Sequence, residues 1–106
     1  MSITNHLRRV GITLRGVRKQ REHLQVTVAG QAGVTPSYLS QVEQGKRTPS
    51  PELLESLCRA LGINPDLLLL ASLDLPPEPV FEKAQAAAMR RLLKGQGQEQ
   101  SSGGGA

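Results

Sequence analysis

Pro36, Ser37, Tyr38 and Gln41 stand together at the start of one short helical pattern, and their types suit recognition of a polar surface more than the breaking of bonds. A glutamine amide donates and accepts side by side, so Gln41 can pair with N6 and N7 of an adenine edge; Ser37 can donate or accept and discriminates less. Tyr38 can lay its ring on a thymine methyl, bond a phosphate, or pack across the helix surface. Pro36 lacks a donor and offers apolar contact alone, which shifts selectivity toward the shape of the target. Catalysis has less to draw on. His6 and His23 are far apart and outside any metal-ligand spacing, and Cys58 falls on the apolar face of a helical pattern, where a thiol is a packing group. Glu52 and Glu55 open a helix, where they suit the positive end of its dipole. The glycines of the C-terminal tail form no phosphate-cradling loop. The chain therefore reads as a non-enzyme without metal or cofactor.

Two short helical patterns flank Ala32-Gly33-Val34, and the second opens with Thr35-Pro36. Thr35 can cap that helix, Pro36 suits its first position, and Gly33 permits the tight turn before it. This is the grammar of a helix-turn-helix, whose second helix puts its N-terminal turns into the major groove of DNA; Pro36, Ser37, Tyr38 and Gln41 become the base-reading candidates. Periodicity predicts a first helix from about Ile12 to Glu22, with Leu14 and Val17 inward and Arg15, Lys19 and Arg21 toward water or phosphate. A second covers Gln25 to Ala32, and a third covers Pro36 to Gln44, with Leu39 and Val42 inward and Gly45 as its stop. Ser50-Pro51 starts a fourth, striped by Leu53, Leu54, Leu57, Cys58 and Leu61, and Asn64-Pro65 starts a short fifth through Leu70. Leu75-Pro76-Pro77-Glu78-Pro79 reads as an extended linker. A helix over Val80 to Leu93 follows, with Val80, Ala84, Ala87, Ala88, Arg91 and Leu92 near one face. The residues after it have no apolar content and are expected to be disordered. The expected division is an N-terminal extension over 1–11, a helix-turn-helix domain over 12–75, linker and C-terminal helix over 76–94, and a tail over 95–106.

Composition agrees with a small helical domain. The 106 residues are 38% apolar, with one Phe and no Trp, so the core must be built from Leu, Val, Ile and Ala. The net charge of +4 hides an asymmetry: residues 1–50 carry eight Lys or Arg against two acids, and the remainder carries five against seven. A basic half that holds the candidate recognition unit suits a polyanionic partner. No apolar run approaches the ~18 residues of a membrane span, the N-terminus MSITNHLRRV lacks a secretory apolar stretch, and a lone cysteine fits a reducing compartment, so a cytoplasmic protein is expected.

The stretches LRGVRKQREHLQ, AGQAGVTPSYLSQVEQGKRTPS and ELLESLCRALGINPDLLL occur in this order, and residues 12–70 resemble the Cro and phage-repressor class of helix-turn-helix domains. The resemblance implies an all-α, five-helix, lambda-repressor-like DNA-binding bundle, here extended by the Pro-rich linker and the C-terminal helix. It implies that Arg18 and Glu43 form a buried ion pair tying the recognition helix to its scaffold. It also implies that Gln25 holds a phosphate at the start of the second helix and that Lys46 and Arg47 contact phosphates; Thr35, Arg15 and Lys19 complete the expected phosphate set. For Lys46 and Arg47 a solvated loop charge is an equal alternative. The chain departs from many relatives at Pro36, where a long polar residue is common, and at Leu24, where a Ser or Thr cap often stands. The implied function is a sequence-specific DNA-binding transcription regulator of bacterial or phage type, a repressor or autoregulator acting as a homodimer on double-stranded DNA. Leu67, Leu68, Leu70 and Leu73 are the first candidates for the dimer contact, and Phe81 and Leu92 of the last helix the second. The alternative is an antitoxin-type interaction module in which Val80 to Leu93 engages a protein partner and DNA binding is secondary.

Overall fold

Side-chain caps set most of the helix boundaries. Ser2, Thr35, Ser50 and Asn64 each accept a hydrogen bond from a backbone N–H in the first turn that follows, and the last three precede a proline in the first helical turn. The computed structural model describes residues 2–94; the expected disordered tail at 95–106 lies outside the described residues. Six helices result among them: α1 (Ile3–Gln20), α2 (Gln25–Ala32), α3 (Pro36–Glu43), α4 (Pro51–Leu61), α5 (Pro65–Ala71) and α6 (Pro79–Leu93).

The first helix is longer than expected, and its apolar spacing runs back from Leu14 through Val10 and Leu7 to Ile3. It begins at Ile3, not near Ile12, so the expected extension over 1–11 is mostly the first half of α1. Ser2 caps it, and Val10 extends the buried stripe of Leu14 and Val17 by one turn. Two polar tethers then hold its N-terminal half to the far end of α5: His6 Nε2 donates to the Leu69 carbonyl (3.0 Å) and Arg9 Nε to the Ser72 carbonyl (2.9 Å). Neither tether has a periodic signature in the sequence.

The core is aliphatic, as composition requires. Leu14, Val28, Leu39, Leu57 and Leu68 are fully buried, with α2 packed on α4, α3 on α1, and α5 on α6. Each such side chain contributes about 1.5–3 kcal/mol on burial. Gly11 lets α1 and α3 approach closely. A β-carbon there would stand well inside van der Waals distance of the Val42 carbonyl oxygen, whereas one on Gly16 would meet nothing.

The sixth helix does not hang free beyond its linker. It packs on α5 and α1 with Phe81, Gln85, Ala88 and Leu92 inward, while Val80, Ala84 and Arg91 of the expected face are exposed. The polar member of that face decides the rotation: Gln85 Nε2 donates to the Leu73 (2.6 Å) and Leu70 (3.1 Å) carbonyls, closing the C-terminal end of α5. Leu68 and Leu92, expected in a dimer contact, are instead in the protomer core with no exposed surface. Leu67, Leu70, Leu73 and Phe81 are half-buried.

Replacing Gly11 with Ala should destabilise the fold by about 1–3 kcal/mol, because the added methyl forces α1 and α3 apart. Replacing Gly16 with Ala in the same helix should stabilise it by about 0.5–1 kcal/mol, since only helix propensity changes there. Urea unfolding midpoints of the two variants should move in opposite directions.

Candidate nucleic-acid interface

The turn between α2 and α3 is built from backbone geometry. Gly33 takes a left-handed φ of 78°, which brings its N–H onto Ala29 and Gly30 carbonyls and lets Val34 N–H bond the Ala29 carbonyl (3.0 Å). Thr35 Oγ1 then accepts from Tyr38 N–H (3.0 Å), opening α3 in a new direction. At the other end Gly45, with φ of 76°, reverses the chain, and the N–H groups of Lys46 (2.9 Å) and Arg47 (3.2 Å) both bond the Gln41 carbonyl. The loop after α3 is thereby folded back along the helix.

Beneath this unit lies the ion pair that the resemblance implies. Arg18 Nε donates to Glu43 Oε2 (2.7 Å) and its Nη2 to Oε1 (3.0 Å), a two-pronged geometry with both residues buried. Arg18 Nη1 adds the His23 carbonyl at the start of the α1–α2 connection (2.8 Å), so one guanidinium joins α1, the connection and α3. Gln25 belongs to the same network. Its amide Nε2 donates to Glu43 Oε1 (3.0 Å), which gives the amide a structural partner and leaves its second N–H available. Beside it stands the α2 backbone, which no side chain caps because Leu24 is at the N-cap.

The predicted base-reading residues share one surface. Pro36 and Ser37 are exposed, and Tyr38 and Gln41 are half-buried on the outer side of α3. Arg47 joins them: its Nε donates to Gln41 Oε1 (2.7 Å), and its guanidinium lies over the Tyr38 ring at 5.1 Å from the centroid. A basic loop residue suits a phosphate contact by its place in the chain, yet this side chain runs along the recognition surface. Lys46, Thr35, Arg15 and Lys19 are exposed, and Arg15 lines a cleft with Gln25, Ser40 and Gln44 beside the buried pair. Arg21 is not part of this surface. Its guanidinium caps the C-terminal ends of α6, at the Leu92 carbonyl (2.7 and 3.1 Å), and of α4, at the Leu61 carbonyl (3.2 Å). Burial lowers its pKa from the ordinary value.

Cys58 is buried among the core leucines, and that burial, reinforced by the Glu55 charge, pushes its thiol pKa up to about 12. A thiol so protonated is no nucleophile at neutral pH. Among the described residues no group of His, Cys, Asp and Glu has a metal-binding arrangement, and no helix is long and apolar enough to cross a membrane.

Residues 9–71 match the family described as helix-turn-helix domain. Over 61 residues the chain is 38% identical to the transcriptional regulator ClgR of Mycobacterium tuberculosis, covering 58% of this chain and 54% of that protein. Over 54 residues it is 39% identical to the immunity repressor protein of Bacillus phage phi105, covering 51% and 38%. The crystal structure of the clp gene regulator ClgR from C. glutamicum superimposes with a TM-score of 0.60 at 30% identity, covering 68% of this chain and 90% of that one. The chain spans about half the length of the curated M. tuberculosis relative it matches.

Glu43→Leu should cost about 3–5 kcal/mol, since it strands the Arg18 charge in the interior. Adding Arg18→Met should recover most of that destabilisation, because the desolvation cost disappears with the charge. A double-mutant cycle in urea reads the coupling; additive effects would mean that the two charges act separately. Cys58 should resist thiol labelling at pH 8 in the folded protein and react on unfolding, with the labelling rate tracking urea concentration.

Proposed function

Given that the chain belongs to the helix-turn-helix domain family, of the Cro and phage-repressor type, we propose that it is a sequence-specific DNA-binding transcriptional regulator that lays α3 in the major groove. The observation that carries this reading is the outer face of α3. Exposed Ser37 and half-buried Tyr38 and Gln41 line the outer side of a helix that is anchored from below by the Arg18–Glu43 pair and accompanied by exposed Lys46, Arg15 and Lys19. Polar side chains on the helix together with exposed cations divide the work as DNA recognition requires: base edges specify, phosphates position. The names of the matched relatives, a transcriptional regulator and an immunity repressor, support the regulatory reading. We place the protein in the cytoplasm, where its target lies.

The protein acts as a homodimeric repressor or autoregulator on a two-fold symmetric site. One domain of this size covers one half-site, and joining two multiplies affinity without a new contact. With Leu68 and Leu92 in the core, the surface left for the dimer contact is the half-buried Leu67, Leu70, Leu73 and Phe81 at the α5–α6 seam, beside exposed Val80. That same seam bears on the antitoxin alternative. The apolar face of α6 is already covered by α5, so no observation favours a separate partner-binding role for it.

Selection from a random duplex pool should return a symmetric site with half-site centres ~34 Å apart, and sedimentation should give the mass of a dimer. A failure to enrich any sequence overturns the DNA-reading function; a monomer bound as one copy overturns the dimer. Lys46→Ala should weaken binding to all duplexes alike and reduce the logarithmic salt slope by about 0.9 for each phosphate that the lysine neutralises in the wild type. An unchanged slope removes Lys46 from the phosphate set.

A further inference from the structure

We propose that Arg47 and Gln41 act as one reading unit that specifies a guanine in each half-site of the DNA. The inference rests on the DNA-binding function proposed above and names the base that this surface selects. The starting point is the loop after α3. Gly45 turns the chain back, and the Lys46 and Arg47 N–H groups both close on the Gln41 carbonyl, so Arg47 leaves the backbone directly beside the second turn of the helix. Its side chain runs along the recognition surface, with Nε on Gln41 Oε1 and the guanidinium over the Tyr38 ring.

That hydrogen bond changes what Gln41 can read. Pairing with adenine needs the amide oxygen as an acceptor for N6 and the amide nitrogen as a donor to N7. Here the oxygen already accepts from a cation at 2.7 Å. Its second lone pair faces any incoming amino group next to a full positive charge, which repels the partial positive charge of the adenine N6 hydrogens. The amide nitrogen, by contrast, becomes a better donor. On Arg47 only Nε is engaged with Gln41, and the two Nη groups remain to donate. The composite edge therefore acts as a donor edge, its one remaining oxygen lone pair being held beside the Arg47 charge.

In the major groove, guanine is the base that offers two adjacent acceptors, O6 and N7; adenine offers one acceptor beside a donor, cytosine a donor, and thymine one acceptor beside a methyl group. A donor edge matches guanine. Tyr38 contributes by restraint, since a guanidinium held over a ring has fewer orientations to give up on binding. Arg47 is thus a specificity-determining residue, although its place in the chain, in a basic loop outside the helix, suits a phosphate contact.

The test compares random-duplex selections by the full-length protein and by Arg47→Ala and Gln41→Ala, with thermal melts to confirm folding; Arg47 is exposed, so its removal leaves the core intact. The wild type should fix a guanine at one position of each half-site, and replacing that guanine should weaken binding roughly 5- to 150-fold. Arg47→Ala should lose the guanine and shift the position toward adenine, because the freed amide regains its acceptor. Gln41→Ala should keep the guanine with reduced affinity. If Arg47→Ala selects the same base at that position, or weakens binding equally on every duplex with a lower salt slope, Arg47 is a phosphate contact and the inference falls while the DNA-reading function stands. If the wild type enriches no sequence, both fall.

Discussion

Every feature of the DNA-facing surface depends on one buried ion pair. Arg18 and Glu43, both buried, meet through two hydrogen bonds, and the third Arg18 bond holds the His23 carbonyl. In such a setting neither charge tolerates the removal of the other, because the cost of leaving an ion unpaired in the interior exceeds what the remaining contacts supply. The pair therefore acts less as a source of stability than as a register. It permits one placement of the C-terminal end of α3 relative to α1, and an α3 that shifted by a turn would strand both charges. Gln25 reinforces this by bonding Glu43 from the first turn of α2. The three helices that must be mutually fixed for base reading converge on a single carboxylate.

The second organising constraint is the set of unpaired carbonyls that short helices leave at their ends. A bundle of short helices has many such ends, and a buried carbonyl without a partner costs about 1–3 kcal/mol. This chain meets them with long polar side chains from distant segments: Arg21 on α4 and α6, Gln85 on α5, Arg9 and His6 on the last turn of α5 and its cap. Among the described residues no buried side-chain nitrogen or oxygen is left without a partner. The consequence for function is that the basic excess of the first fifty residues is not uniformly a phosphate-binding charge. Arg18 and Arg21 work inside the fold and the exposed Arg9 gives its Nε to the end of α5, so the cations left for DNA are fewer than the net charge suggests.

The face proposed to read bases shows the same economy of parts. Gly11 allows α3 to sit directly on α1, and the reversal at Gly45 returns Arg47 to the surface of the helix it has just left. Tyr38, Gln41 and Arg47 then restrain one another. A surface that is ordered before it meets its partner gives up less freedom on binding.

The sequence by itself determined the elements whose causes are local. Thr35-Pro36, Ser50-Pro51 and Asn64-Pro65 marked three helix starts because cap chemistry acts within one turn, and Gly33 and Gly45 marked the turns on either side of α3 because both take a left-handed conformation that glycine adopts without strain. The stripes Leu39–Val42 and Leu54–Leu57–Leu61 exposed the core face of α3 and α4 by spacing alone. The Arg18–Glu43 pair was legible only through family resemblance, since nothing in the spacing of two charges 25 positions apart states that they meet. Tertiary structure decided what depends on distant partners. The first half of α1 continues the stripe of Leu14 and Val17 back through Val10 and Leu7, so its helix was legible in the spacing; what tertiary structure decided is that it is held by carbonyls at the end of α5. The rotation of α6 follows from Gln85 finding the end of α5, which no hydrophobic pattern weighs. Leu68 and Leu92 read equally well as core or as interface, because an apolar side chain carries no sign of what will cover it. The contact of Arg47 with Gln41 and Tyr38 was likewise beyond the sequence, because a charge in a loop points nowhere until the turn that bears it is closed. Local rules encode where a helix begins and ends; which groups it meets is a property of the packed whole, where long side chains reach across tens of residues to satisfy hydrogen bonds that the chain order does not reveal.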